Sequence, residues 1–373
     1  MRTAKFFYVI STIRKFLAII FWGIWFVSVP LFSAPISYYN LQPSRDFTGE
    51  PLPTRQDYLN RYPLQEFRIY HLERFISPQV LMHRDRPGRI LLAGNSNLYR
   101  VLDSHFRSWA EDLRDEGYEV ILASIQGGTP EELKDFIRQE LGDDGEGVIL
   151  CGNLPLAWFE NYEHFYDENH PDRPRMEEYP IDLFFMDLDG EWEDTSGNGI
   201  YDLHSGNWEP DIWLGRVAAY NLYRVREDTL IERYIERVRR YRRGELSLPH
   251  QGLAFIDDDW IPWSHRWRDN LARAWGLTNL IAHPESTSAS GYRYWISEPG
   301  WEMVLVAVHS TTDSHGFMVE NRSRYDYFRY RHLRDEVSPN VFFFNLFACS
   351  VMNLARELAL GPLYALKGPF SLG

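Results

Sequence analysis

Short apolar runs alternate with amphipathic segments of helical spacing along most of this chain, and this alternation strongly constrains the fold. The apolar runs at 88–94, 118–124 and 147–153 have the pattern of strands, and the segments at 102–117 and 129–141 have the pattern of helices. Strands that alternate with helices of this length form βαβ units and a parallel sheet. The sequence therefore predicts an α/β protein with doubly wound, mostly parallel sheets.

The alternation returns in the second half of the chain. A long charged pattern at 225–245 predicts a helix, and strand patterns follow at 252–260 and 277–283, with a helical pattern near 264–275 between them. Two further apolar runs, described below, complete this second set of strands. We therefore expect two sheets, with the long helix between them in chain order.

These patterns divide the 373 residues into four parts. We predict a signal anchor or signal peptide at 1–35, a linker region at 36–87, and two doubly wound subdomains at 88–222 and 223–373. Three smaller elements are also predicted, namely helices near 64–76 and at 350–360 and a strand that begins at 361.

The N-terminal part carries a membrane signal. Residues 16–34 are apolar and uncharged, and four basic residues precede them: Arg2, Lys5, Arg14 and Lys15. About 19 apolar residues are enough to cross the hydrocarbon layer, and the basic flank indicates a cytoplasmic N-terminus. A cleaved signal peptide is the alternative, although cleavage after Ala34 would place Phe32 where a small residue is needed. Either interpretation places the rest of the chain outside the cytoplasm, at the cell envelope or beyond it.

The charge balance argues against nucleic acid as a partner. The formal net charge is −14, and phosphate backbones are bound by basic surfaces.

Two apolar runs deliver a thiol and imidazoles. The run at 301–317 contains His309 and His315, and the run at 341–350 contains Cys349 near its end. The carboxyl ends of parallel strands meet at one edge of a sheet, where open α/β sheets hold their active sites. A thiolate beside an imidazole is the minimal nucleophile–base pair of covalent catalysis. The other cysteine, Cys151, is expected to be a small buried apolar residue.

The chain resembles the gingipain-like family of cysteine peptidases, which have a caspase-type fold. Five segments carry the resemblance, in the family's order: VILCGNLPLAW (148–158), DLFFMDLDGEWEDTSGNGIYD (182–202), PDIWLGRVAAYN (210–221), GLAFIDDDW (252–260) and FACS (347–350). The resemblance spans about 89–370 and implies two caspase-like subdomains, a Cys/His dyad and hydrolysis of protein or peptide substrates, with basic residues at the cleavage site. Related proteins continue beyond the segment that begins at 361, so a shortened product or fragment is expected.

The sequence departs from the family at the histidine. The family has His-Gly directly after the strand, whereas here His309 is followed by Ser310 and the His-Gly pair is His315–Gly316. Strand register favours His309 as the base, and the glycine favours His315. The backbone N–H groups of Cys349 and Gly316 are the candidate oxyanion donors.

The segment at 182–202 is also rich in oxygen ligands. Five side chains and three glycines fall close together, and hard oxygen ligands on a glycine-rich loop suit structural Ca²⁺; the candidate ligands are Asp187, Asp189, Asp194, Asn198 and Asp202. The spacing differs from that of an EF-hand. A solvated acidic loop held by its own side-chain turns is the alternative.

A further acidic run, Asp257–Asp258–Asp259, lies at the end of the predicted strand segment 252–260. Three carboxylates at a sheet edge could bind a cation or a basic substrate side chain, or could cap the next helix.

For the whole protein, the main hypothesis is a membrane-anchored or exported cysteine endopeptidase. The alternatives are an inactive module of the same fold that serves surface adhesion or assembly, and an unrelated α/β envelope protein.

Overall fold

The computed structural model describes residues 42–43, 46, 48–76, 88–163, 175–298, 300–320 and 323–372. The predicted membrane segment at 16–34 lies outside these residues. Within them, none of the helices combines the length and the apolar character that a membrane crossing requires.

The elements follow one another in a mixed α/β order. The strands are β1 (Gln42–Pro43), β2 (Arg68–Phe75), β3 (Arg89–Asn95), β4 (Glu119–Gln126), β5 (Gly145–Cys151), β6 (Trp158–Glu163), β7 (Arg175–Pro180), β8 (Glu191–Glu193), β9 (Leu203–Ser205), β10 (Trp213–Val217), β11 (Gln251–Ile256), β12 (Leu277–Ile281), β13 (Trp301–Ala307), β14 (His309–Ser310), β15 (Ser314–Val319), β16 (Arg324–Arg329) and β17 (Val341–Phe347). The α-helices are α1 (Arg55–Arg61), α2 (Ser96–Asp115), α3 (Pro130–Leu141), α4 (Leu183–Met186), α5 (Glu227–Arg242), α6 (Ser264–Trp275), α7 (Ala289–Ser297) and α8 (Leu360–Lys367). Short 3₁₀ helices cover Gly142–Asp144 and Asp258–Trp263, and a π-helical turn covers His332–Glu336.

Two sheets with parallel strands form the centre of the fold, as the sequence predicts. The first has the order β10-β5-β3-β4-β2, in which only β2 is antiparallel to its neighbour. The second has the order β12-β11-β13-β17 and is parallel throughout. The strands β3, β4, β5, β11 and β13 are buried over most of their length, which is typical of a parallel sheet that is covered on both faces.

The long helix α5 packs between the two sheets. Its buried residues Ile231 and Ile235 belong to one core cluster with Leu92 of β3 and Val304 of β13. On its charged side, the Arg239 guanidinium donates to the carboxylate of Asp112 on α2 at 2.7 Å. The predicted helix at 225–245 is thus confirmed, and it joins the cores of the two sheets.

The helix predicted near 64–76 is wrong, because this segment forms the edge strand β2. It pairs with β4 from Arg68–Gln126 to Phe75–Val120. The segment has apolar residues at both strand and helix spacing, so the local pattern is ambiguous. The open hydrogen-bonding edge of β4 decides the outcome, since a helix would leave those backbone groups unpaired.

The two elements predicted after Cys349 are also wrong. Residues 350–359 form turns in place of a helix, and α8 begins at Leu360, where a strand was expected to start. The Asn221 side-chain amide donates to the carbonyls of Leu354 and Arg356. These hydrogen bonds stabilise the non-helical turns. The helix α8 is almost wholly buried, so its continuous apolar sequence reads equally as a strand.

Candidate active site

Three neighbouring parallel strands bring acidic, imidazole and thiol groups to one edge of the second sheet. Asp257 directly follows β11, and His309 and Cys349 each lie two residues beyond the last paired residues of β13 and β17. The register between β13 and β17 has a constant offset of 40 residues, and the same offset separates His309 from Cys349. The pairing also runs past the strand ends, since Val308 N donates to the Phe347 carbonyl at 3.3 Å.

His309 lies between the acidic run and the end of β17. Its Nε2 is 3.1 Å from Oδ2 of Asp259 and 4.0 Å from Oδ2 of Asp258. The ring packs on the Trp260 indole with a centroid separation of 4.6 Å, and the side chain is 26% exposed. A carboxylate at hydrogen-bond distance fixes the orientation and tautomer of an imidazole, and partial exposure leaves the ring accessible to a substrate.

His315 occupies a different environment, although it is only six residues away. Its Nδ1 contacts Ser310 Oγ at 2.7 Å and its Nε2 contacts Tyr364 Oη at 2.9 Å, and the residue is fully buried. Burial lowers the pKa of His315 to about 3. One ring nitrogen therefore links β15 to β14 and the other links it to α8, and the ring is neutral at physiological pH.

This burial predicts a pH-dependent loss of stability. The pKa of His315 falls from 6.5 to about 3 on folding, so below pH 6.5 the unfolded chain binds the proton that the folded chain excludes. At pH 5 this costs about 2 kcal/mol of folding free energy. The unfolding free energy is measured in urea at pH 7 and at pH 5. Its decrease between the two pH values should be about 2 kcal/mol smaller for His315→Gln than for wild type. Equal decreases would contradict the burial of a neutral His315.

Cys349 is an exposed cysteine just after β17. The next residue, Ser350, has a φ of +59°, so the chain turns sharply behind the thiol. Phe347, two residues before it, is 50% exposed and packs its ring against Trp260 and Trp267. Cys349 therefore lies at an open, aromatic-lined edge.

Cys151 is the opposite case. It is completely buried, and burial followed by the nearby charge of Glu227 raises the pKa of its thiol far above the usual range. A thiol of this kind stays protonated and inert. The structure therefore places the two cysteines in contrasting environments.

The candidate oxyanion donor Gly316 lies beside His309. It is the direct partner of His309 in the β14–β15 pair and of Tyr327 in the β15–β16 pair. Its backbone is thus inside a three-stranded sheet rather than at a free strand end.

The acidic run is evident in the sequence, but its contact with the histidine is not. The structure separates the three residues: Asp257 Oδ2 accepts from Met318 N at 2.8 Å, whereas Asp258 and Asp259 face His309. Burial, together with the neighbouring charge of Asp258, raises the pKa of Asp257 to about 6. The signal that the sequence did carry is that the carboxylates and His309 each follow a strand of a predicted parallel sheet. The adjacency of β11 and β13 comes from the structure.

The acidic loop of the predicted calcium site is held by hydrogen bonds within the protein. Asp187 is buried; its Oδ1 accepts from Gly190 N at 2.7 Å, and its Oδ2 lies 2.8 Å from both Trp192 Nε1 and His204 Nε2. Burial alone would raise the pKa of Asp187, but the His204, Gly190 and Trp192 hydrogen bonds hold it below its usual value. The ammonium of Lys134 is close enough to attract this carboxylate.

The five predicted ligands do not share one set of contacts. Carboxylate oxygens of Asp187 and Asp189 lie within 4.8 Å of each other and of Asp211. Asp194 accepts from the backbone N–H groups of 197, 198 and 199, and Asp202 accepts from Thr195. The Asn198 amide donates to Glu160. A cation would therefore compete with donors that already occupy most of these oxygens.

A cavity of about 760 Å³ lies at the carboxyl edge of the first sheet. Asn95, Gln126 and Asn153, which end or follow β3, β4 and β5, line it. Neither His309 nor Cys349 lines this cavity, so the reactive groups and the cavity are at different sheets.

No family model and no curated protein matches this chain. A solved structure described as that of a protease covers 77% of this chain and 58% of its own, with 11% identity and a TM-score of 0.49. The crystal structure of the Arg-specific cysteine proteinase gingipain R covers 76% and 59%, with 14% identity and a TM-score of 0.44. The complex of pro- and mature domains of RgpB from Porphyromonas gingivalis covers 77% and 62%, with 14% identity and a TM-score of 0.47. The chain thus spans about three fifths of the length of each.

Proposed function

We propose that this protein is a cysteine peptidase in which Cys349 is the nucleophile and His309 is the general base. The observation that carries the proposal is the register of β13 and β17, which places His309 and Cys349 at matching positions beyond two adjacent parallel strands. Asp259 and Asp258 lie against His309. Acid, imidazole and thiol thus follow the order of three neighbouring strands.

The chemistry follows from this order. With its Nε2–H donated to Asp259, the imidazole keeps a lone pair on Nδ1 for the thiol proton of Cys349. The thiolate attacks the peptide carbonyl carbon, and the C–N bond breaks as the imidazolium gives its proton to the leaving amine. Water, deprotonated by the same imidazole, then hydrolyses the thioester and releases the second product and the thiol.

The developing oxyanion needs preorganised donors. We propose the backbone N–H of Cys349 for this role, because it belongs to the same residue as the nucleophile. The second candidate from the sequence, Gly316, is adjacent to His309. We also propose that the peptidase is of the gingipain-like type and that it cleaves next to basic residues.

The proposal is tested by incubating the purified protein with a mixed peptide library and identifying the products by mass spectrometry. Hydrolysis that stops after alkylation of one thiol, mapped to Cys349, is the expected result. A folded protein that cleaves nothing would favour the non-catalytic adhesion or assembly module. Hydrolysis that is unaffected by complete alkylation of Cys349 would rule out the thiol mechanism.

We also propose that the protein acts at the cell envelope or outside the cell. The support is the sequence alone, namely the apolar segment at 16–34 and the basic residues before it. Protease added to intact cells or spheroplasts should then digest residues after 34 and spare the first fifteen. Full protection of the chain until the cells are lysed would contradict this location.

Calcium stays a prediction for the acidic loop. If Ca²⁺ binds there, it stabilises the folded state by mass action, so a chelator should lower the melting temperature. The double variant Asp187→Ala/Asp189→Ala should no longer respond to calcium or chelator. A wild-type melting curve that is indifferent to both would show that Lys134, His204 and the loop's own N–H groups are enough to stabilise the acidic loop.

A further inference from the structure

The edge that holds His309 also has the donors of a transition-metal site. Asp258, Asp259 and His309 each offer a ligand atom, and these three atoms all lie within 4.8 Å of one another. From Nε2 of His309 the two carboxylate oxygens are 3.1 and 4.0 Å away. The side chain of Asp258 is 1% exposed, so one of the three ligands is fixed inside the protein.

These separations suit a small tetrahedral ion. Zinc binds histidine nitrogen and carboxylate oxygen at about 2.0–2.2 Å, so neighbouring ligand atoms of a tetrahedral site are roughly 3.3–3.5 Å apart. The two separations from Nε2 bracket this value. One imidazole among the ligands favours zinc over calcium or magnesium, which prefer oxygen alone.

The backbone supports the position of the buried ligand. Asp258 has a φ of +43°, a conformation that non-glycine residues rarely adopt. It begins the short 3₁₀ helix after β11, and the turn directs consecutive carboxylates to His309. Because Asp258 and Asp259 come directly after Asp257, the first residue beyond β11, and His309 lies in the β14–β15 hairpin that follows β13, the fold has already assembled the ligand set.

We propose that Asp258, Asp259 and His309 bind a divalent transition-metal ion of the Zn²⁺ class, with water as the remaining ligand, and that this ion switches the peptidase off. The inhibition rests on the proposed function, whereas the binding does not. A metal ion on Nε2 displaces the proton that this nitrogen shares with Asp259. The proton of the neutral ring then resides on Nδ1, which leaves no lone pair to accept the proton of Cys349.

Binding is measured first, by calorimetric titration of ZnCl₂ into tag-free, metal-stripped Cys349→Ala protein. This background excludes the thiol as a ligand and needs no activity. One Zn²⁺ per chain is expected, with affinity reduced at least about tenfold by Asp258→Asn/Asp259→Asn and by His309→Ala. The control Asp269→Asn removes an exposed carboxylate of α6 and should bind like its parent. CaCl₂ serves as the comparison ion.

The outcomes separate the two proposals. Zinc binding that disappears in both variants supports the site even if no peptide is cleaved. Where hydrolysis is present, zinc should inhibit it over the same concentration range as binding, and a chelator should restore it. Binding of equal strength in the Asp and His variants would overturn the site, whatever the activity. Site-specific binding without inhibition of an active enzyme would overturn the switch.

Discussion

Replacement of Cys349 by alanine is expected to abolish peptide hydrolysis and to leave the fold intact. The thiol is exposed at the end of a strand, so its removal opens no cavity in the core. No other group of the proposed site can form the acyl-enzyme, and the loss in kcat/KM should be at least about 10³-fold. The measurement is steady-state hydrolysis together with a thermal melt of the same sample.

Cys151→Ala is the matched control for this experiment. It removes the same atom from a fully buried site whose thiol is held protonated. We expect unchanged turnover and a loss of about 1 kcal/mol in unfolding free energy, because the small cavity is lined by apolar groups. Undiminished turnover in Cys349→Ala would refute the nucleophile, and loss of activity only in Cys151→Ala would move it to the first sheet.

The two histidines should respond in different measurements. His309→Ala removes the proposed general base, and a loss of about 10²–10⁴-fold in kcat/KM is expected with little change in melting temperature. His315→Ala leaves the buried hydroxyls of Ser310 and Tyr364 without their imidazole partner. This should cost about 1–3 kcal/mol of unfolding free energy.

The contrast is informative in both directions. If His315→Ala were inactive at an unchanged melting temperature while His309→Ala kept its rate, the base would be His315 and the buried conformation would have to open during turnover. Wild-type rates in both variants would rule out a Cys/His dyad with either histidine. Asp269→Asn again controls for an unspecific effect of a surface substitution.

Part of the fold was predictable because it is encoded locally. The helices α5 and α6 and the strands of the second sheet follow the 3.6-residue and apolar patterns of their own sequences. The segments at 64–76, 350–360 and 361–373 were mispredicted for one shared reason. Their apolar spacing fits more than one element, and the choice depends on distant partners: β4 for the first, Asn221 and the core around α8 for the others.

For the site, the sequence by itself determined which chemical groups follow which strands: the acidic run after β11, His309 after β13 and Cys349 after β17. It could not determine which histidine is accessible. That depends on the hairpin of β14 and β15, which puts His309 and Gly316 opposite one another and directs His315 with Ser310 toward Tyr364. Only the tertiary structure also decided that Asp258 and Asp259 face His309, because contact between chain segments 50 residues apart follows from sheet order and not from local sequence.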